Sequence, residues 1–244
     1  MYHWRSVLDA TPGPVDLAFT DRHGGSSAAP YDGLNLAIAG DDDLDECAAN
    51  LRLVVDDFAP GARVADMHQV HGNTVRSVGA GTPDRPEADA LVTTEPDTVL
   101  VVRVADCLPV LLVDAGAGVV GVAHAGRAGL LAGVVPAAVT RMRDLGATMI
   151  GAWLGPRVCG GCYEVPADLQ AEVGDSVPAA VATTTWGTPS LDIGAGVRAQ
   201  LTELEVAVHD LATCTRESAD LYSYRRDGAG AGRFAGLVRR RAGG

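Results

Sequence analysis

Three short segments, far apart in the chain, each put a soft or borderline metal ligand beside a turn. They are His68-Gln69-Val70-His71-Gly72, Ala105-Asp106-Cys107-Leu108-Pro109 and Val122-Ala123-His124-Ala125-Gly126. Two imidazoles and one thiolate suit zinc and leave a fourth tetrahedral position free for water or substrate. A closed structural site takes four protein ligands, so a set of three leans towards catalysis. In a helix His68 and His71 would share a face, whereas in a strand they would point apart. The flanking Val64 and Thr74-Val75-Arg76 read as extended, so only one of the two is expected to ligate. Gly72 provides the turn beside His71 and favours it.

The elements that must position these residues read as an α+β fold, with mixed β-sheets packed against helices, in a single domain over 1–244. Val99 to Val104 is an apolar, β-branched run that predicts a buried strand ending at Asp106-Cys107. Leu108 to Val113 predicts a second extended piece, and Pro109 argues against full central pairing there. Val119 to Ala123 is a further buried strand that ends at His124. Gly126 and Gly129 turn the chain into a helix running towards Gly146, kinked or restarted at Pro136. Met149 to Leu154 closes a strand-helix-strand unit. Leu51, Val54, Val55 and Phe58 recur at helical spacing behind Asp43, which can cap the helix with Glu46 in a capping box. The run Asp41-Asp42-Asp43 reads as a solvated helix start. Ile193, Val197, Leu201 and Leu204 give another amphipathic helix, and Val206 to Val208 and Phe234 to Val238 the last strands. Helices and strands do not alternate strictly, which disfavours a doubly wound sheet. Cys107 and His124 thus fall at strand ends, where rigid scaffold gives way to loops.

Composition narrows the function classes. The 244 residues carry a formal net charge of -12, with 31 acidic against 19 basic residues, and such a surface repels nucleic acid. Every basic residue is arginine, which excludes a Schiff-base lysine and a lysine-bearing phosphate loop. Phosphate recognition would fall to arginine forks or backbone amides. The five cysteines form no regular framework, and neither a signal core nor a membrane-length apolar run is apparent. A cytoplasmic chain with free thiols, away from membranes, is expected. Cys159-Gly160-Gly161-Cys162 reads as a free thiol pair in a glycine-rich turn, with a redox pair as the other reading. Arg239-Arg240-Arg241 reads as a solvated end, and Tyr163 and Tyr224 as packing residues.

In chain order, several motifs accumulate. Pro30-Tyr31-Asp32-Gly33-Leu34-Asn35-Leu36, Gly40-Asp41-Asp42 and Asn50 come first. The three ligand motifs follow, then Gly155-Pro156 with Cys162-Tyr163-Glu164-Val165. Tyr222-Ser223-Tyr224-Arg225-Arg226-Asp227-Gly228 and Gly232-Arg233 close the series. Together they resemble the YfiH-like family, also known as the laccase-domain, polyphenol-oxidase-like or peptidoglycan editing factor family. The resemblance implies a zinc site of His71, Cys107 and His124, with copper as the other ion, and a fold like that of Cys-His toxin deamidases. It further implies phosphorolysis of adenosine, inosine, guanosine or methylthioadenosine, and deamination of adenosine to inosine. The chain departs from the family's pattern in two places. The family's Trp-Arg-Gly after His-Ala-Gly is Arg127-Ala128-Gly129 here, so Arg127 is given no role, and its paired cysteines before Tyr-Glu are Gly161-Cys162, with Cys159 two positions earlier.

For phosphorolysis, phosphate must be held below C1′ of the ribose while the departing purine gains a proton or hydrogen bond. Arg22, Arg225 and Arg226 are the phosphate candidates, and Asn35 and Asp106 could contact substrate or orient a ligand. His71, Cys107, His124 and Asp106 make up the catalytic set. Three other readings compete. In a Cys-His hydrolase or amidase of cell-wall precursor editing, Cys107 would be the nucleophile and His124 its base. A copper-dependent polyphenol oxidase would need more than the six histidines present. The last is a non-enzymatic, metal-stabilised binding module. Self-association is left open.

Overall fold

The computed structural model describes residues 1–243. Its six-stranded sheet runs in the order β12 (Ala207–Asp210), β9 (Gly151–Leu154), β7 (Leu108–Asp114), β8 (Val119–Ala125), β5 (Ala90–Thr93) and β4 (Val75–Ser77). The five-stranded sheet runs β1 (Tyr2–Leu8), β2 (Val15–Thr20), β13 (Phe234–Arg240), β6 (Thr98–Val104) and β3 (Arg63–Ala65). A short hairpin of β10 (Val181–Thr183) and β11 (Pro189–Leu191) stands apart. Both large sheets mix parallel and antiparallel pairs, so the fold is α+β as expected.

Strand parity builds four layers. In β6, Leu100, Val102 and Val104 join Leu111, Val113, Val120 and Val122 of β7 and β8 in a core between the sheets. Val99 and Val101 turn the other way, onto Val54 and Phe58 of α1 (Leu44–Phe58). Val110, Leu112 and Ala123 cover the far side of the six-stranded sheet. There they meet α3 (Val134–Asp144) and α5 (Ile193–Glu203) through Val135, Val139, Val197 and Leu201. With both faces of each sheet covered, β6, β7 and β8 are buried along their whole length. That is why they read as continuous apolar runs rather than alternating ones.

Several local expectations change. β7 is a central strand, paired with β8 on one side and β9 on the other. Pro109 is tolerated because pairing to β9 begins only at Val110, while its carbonyl accepts from Gly155 N–H. The helical restart after β8 is at Gly133, whose φ of 74° ends α2 (Arg127–Ala132) and begins α3. Pro136 falls in the first turn of α3, where no N–H is required. Asp43 caps α1 through Asp45 and Glu46 N–H, but Glu46 turns to the Ser26 hydroxyl rather than closing a capping box. The closing arginines are not a solvated end. Arg239 and Arg241 both bind the fully buried Asp16, and Arg240 donates to the Thr94 and Gly118 carbonyls. Among the described residues, no helix is long and apolar enough to cross a membrane.

Candidate metal centre and cavity

The ends of β6, β7 and β8 and the loop between β3 and β4 meet at one end of the two-sheet sandwich. His71, Cys107 and His124 come together there, their ligand atoms all within 4.8 Å of one another. Cys107 Sγ lies 3.9 Å from His71 Nε2, and the two imidazoles meet edge to face at 4.7 Å between centroids. His124 has the parity of Val120 and Val122, so β8 aims it towards the space between the sheets. His68 lies outside the cluster but on the wall of the same cavity.

Asp89, which precedes β5, organises two of the three ligands and was not among the sequence candidates. It is fully buried. Its Oδ1 accepts from His124 Nδ1 at 2.9 Å and from His71 N–H at 2.9 Å. Its Oδ2 accepts from Gly72 N–H at 2.7 Å and Val70 N–H at 3.3 Å. Burial would raise its carboxyl, but His124 and the backbone amides outweigh that and hold it below the usual carboxylate range. One carboxylate therefore shapes the His71 turn and fixes the His124 tautomer, leaving Nε2 for an ion. Gln69 pins the same loop to β6 by donating to the Arg103 carbonyl and accepting from its N–H, at 2.8 and 2.9 Å.

Burial pushes the Cys107 thiol up, but the charge and hydrogen bonds of His124 and then His71 bring it down to about 6. Burial likewise lowers His124, while Cys107 and Asp89 raise it to about 9. A thiolate facing an imidazolium is a pair in which a divalent cation can take the place of the proton. The donor chemistry fits zinc or copper equally well in type.

The cluster opens into a cavity of about 750 Å³. Arg103, Arg127, Arg225 and Arg233 stand on its wall, with Tyr163 and Tyr224. Arg225 stacks over Tyr163 at 4.6 Å. Arg103 is 5% exposed. Its Nε and Nη2 go to the Leu36 carbonyl and Asp66, and its Nη1 has no partner among the described residues. Asp106 also reaches the wall, but both its oxygens are engaged, accepting from Thr215 Oγ1 and Arg225 N–H at 2.6 Å each. The remaining candidates lie elsewhere. Asn35 is fully buried and holds Asp42, Ala37 N–H and Arg233 N–H. Arg22 stacks on Tyr222, and Arg226 spreads over Asp227 and the carbonyls of Thr215, Ser218 and Leu221. A lone arginine in the apolar run of β6 and an aspartate ahead of β5 were the available signals for Arg103 and Asp89.

A two-sheet α+β scaffold carries at one end a His-Cys-His cluster that could hold a metal ion, and comparison with known proteins gives it a family. The family model described as "Multi-copper polyphenol oxidoreductase laccase" matches residues 16–241. The chain belongs to this laccase-like, YfiH family. It is 54% identical over 230 residues to a Streptomyces coelicolor protein named purine nucleoside phosphorylase, covering 91% of this chain and 94% of that one. A Neisseria meningitidis crystal structure superposes with a TM-score of 0.84 at 29% identity, covering 98% of both chains. The Bacillus licheniformis YfiH structure gives 0.84 at 24% identity over 93% of each chain, and so shows the shared fold.

Proposed function

We propose that the chain is a zinc-dependent purine nucleoside phosphorylase acting on adenosine, inosine, guanosine and methylthioadenosine, and that it also deaminates adenosine. The observation that carries this reading is the three-ligand cluster, within 4.8 Å, on the wall of a cavity large enough for a nucleoside. The name carried by the Streptomyces coelicolor relative supports the substrate class. His71, Cys107 and His124 would hold the ion, and when bound it supplies Lewis acidity to the cavity.

The chain's own residues supply the rest. In phosphorolysis a phosphate oxygen bonds to C1′ as the bond from C1′ to the purine nitrogen breaks, and the base leaves as it gains a proton or hydrogen bond. Arg225, Arg127 and Arg233 line the cavity wall and would supply the charge that a phosphate needs, and Arg103 brings an unpaired Nη1. Tyr224, exposed on the cavity wall, offers a face against which a purine can stack, while Tyr163 carries Arg225 on its ring. Asp106 holds Arg225 through its backbone and acts here by positioning. The five unpaired thiols fit a reducing compartment such as the cytoplasm.

Incubation of zinc-loaded protein with adenosine, with and without phosphate, followed by chromatography, tests the reading. Adenine should form only with phosphate, and inosine without it. If adenosine, inosine and methylthioadenosine all stay intact, the reading fails. The thiolate–imidazolium character of Cys107 and His124, backed by Asp89, favours one second reading, a Cys-His hydrolase or amidase. Activity that survives full chelation yet disappears on thiol alkylation would select it.

A further inference from the structure

Away from the His-Cys-His cluster, a second group of ligands converges. Cys159, Cys162, Cys214 and Glu217 each offer an atom within 4.8 Å of the other three. We propose that these four residues form a second metal site, a closed structural zinc site that clips the loop after β9 to the turn that follows β12.

The local backbone has the form such a site needs. Cys159-Gly160-Gly161-Cys162 has the two-residue spacing of structural zinc motifs. The turn is closed by Cys162 and Tyr163 N–H, which donate to the Cys159 carbonyl at 2.9 and 3.0 Å. Gly160 passes so close to its surroundings that a Cβ there would meet Asp192 Cβ at 3.0 Å and Ala182 Cβ at 3.1 Å. Cys214 begins a second turn, closed by Ser218 N–H on its carbonyl, and Glu217 stands three residues on. The two halves meet directly: Cys159 N–H donates to Cys214 Sγ at 3.4 Å, across 55 positions of sequence.

Tetrahedral zinc with bonds of about 2.3 Å to sulfur places its sulfurs about 3.8 Å apart. The observed spread, within 4.8 Å, therefore needs a contraction of about 1 Å between the sulfurs and slightly more to the carboxylate, within side-chain freedom. Cys162 and Cys214 are buried, Cys159 is half-buried and Glu217 is exposed, so the ion would be shielded on its sulfur side and reachable through the carboxylate. Four protein donors leave no open position, which assigns this ion to structure rather than to chemistry.

The site would also steady the cavity. Val158 and Tyr163, which flank the cysteine pair, lie on the cavity wall. Thr215, next to Cys214, donates to Asp106 beside the catalytic cluster. Backbone bonds between Arg157 and Thr213, and between Thr215 and Arg157, already join the two loops where the ion would lock them.

The test is metal stoichiometry on the full chain, purified from zinc-supplemented cells and desalted, with elemental analysis per mole of protein. Two zinc ions are expected in the wild type, one in Cys107→Ser, one in Cys214→Ser and none in the double variant. Cobalt exchanged into Cys107→Ser should show thiolate-to-cobalt charge-transfer absorption, and this should be lost when Cys214 is also replaced. If Cys214→Ser does not fold, Glu217→Gln serves instead, with zinc affinity in the Cys107→Ser background expected to fall at least tenfold at unchanged circular dichroism. The proposal is overturned if Cys107→Ser carries no metal, or if its Cys159, Cys162 and Cys214 react freely with a thiol reagent as isolated. It is also overturned if mass analysis finds Cys159, Cys162 or Cys214 in a disulfide. A wild type holding one ion, kept in Cys107→Ser and lost in Cys214→Ser, would support this site and sink the first.

Discussion

Replacing Asp89 by asparagine changes one atom and should weaken metal binding at the proposed His71, Cys107 and His124 site. The carboxylate presents two acceptor oxygens to four donors: His71 N–H and His124 Nδ1 on one, Gly72 and Val70 N–H on the other. An amide has one acceptor oxygen. If it takes the first position, its NH2 faces the Gly72 and Val70 amides, and each unmatched buried donor costs about 1–3 kcal/mol. If it takes the second, the NH2 faces His124. The imidazole can then accept only by moving its proton to Nε2, the nitrogen left for the ion. Either arrangement should weaken zinc binding about 10- to 100-fold, or about 1.4–2.8 kcal/mol. The assay is competition for zinc between apo-protein and a chromophoric chelator at fixed pH. The relevant phase is the one that vanishes in Cys107→Ser. An Asp89→Asn protein with normal circular dichroism that binds zinc within twofold of wild type would refute the orienting role.

Gly126→Ala adds a Cβ that would lie 3.0 Å from both Cys107 Sγ and His71 Cδ2, on a backbone whose φ of -85° suits alanine. The melting temperature should hold while activity falls about tenfold or more, and unchanged kinetics would show that the ligands yield freely. Arg225→Gln should raise KM for phosphate about tenfold with little change in KM for nucleoside. Arg226→Gln should instead lower stability at constant phosphate KM, because its guanidinium ties carbonyls; the reverse pattern would exchange the two roles. Asp16 is buried, which raises its carboxyl, but Arg241 and Arg239 outweigh this and hold it below the usual range. Its stabilising effect is therefore full above the unfolded value of about 3.9 and fades as pH falls through the lower folded one. Asp16→Asn should cost about 3 kcal/mol at neutral pH and flatten the acid limb of the stability curve. An unchanged acid limb would count against it.

Much of this site was legible because its ligands sit on strand ends whose interiors are buried on both faces. The runs before Cys107 and around His124 read as strands on β-branched content alone, and the structure extends them by only a residue or two. Pro109 misled because a proline near the start of a strand looks the same in sequence whether the strand is central or marginal. The arginine tail misled for a similar reason. Its partner, Asp16, lies more than two hundred positions away, and nothing local marks an arginine that will meet a buried carboxylate. Arg22, Asn35 and Arg226 show the same limit from the other side. Their motifs are real features of the chain, but their side chains are committed to carbonyls, amides and an aromatic face, and only tertiary contacts reveal that.

Strain explains why the cluster should keep its shape before any ion arrives. His71 has a φ of 61° and Asp106, the neighbour of Cys107, a φ of 86°. Neither is a glycine, and each conformation costs on the order of 1–3 kcal/mol and persists only because the surroundings impose it. In both turns a buried carboxylate takes part. Asp89 gathers the three successive amides of the His71 turn, and Asp106 is held by Thr215 and by the backbone of Arg225. The three candidate ligands are thus set by anions behind them, before any cation is bound. A site built this way loses little freedom when metal binds, so the cavity wall and the ligand geometry should be in place before substrate enters.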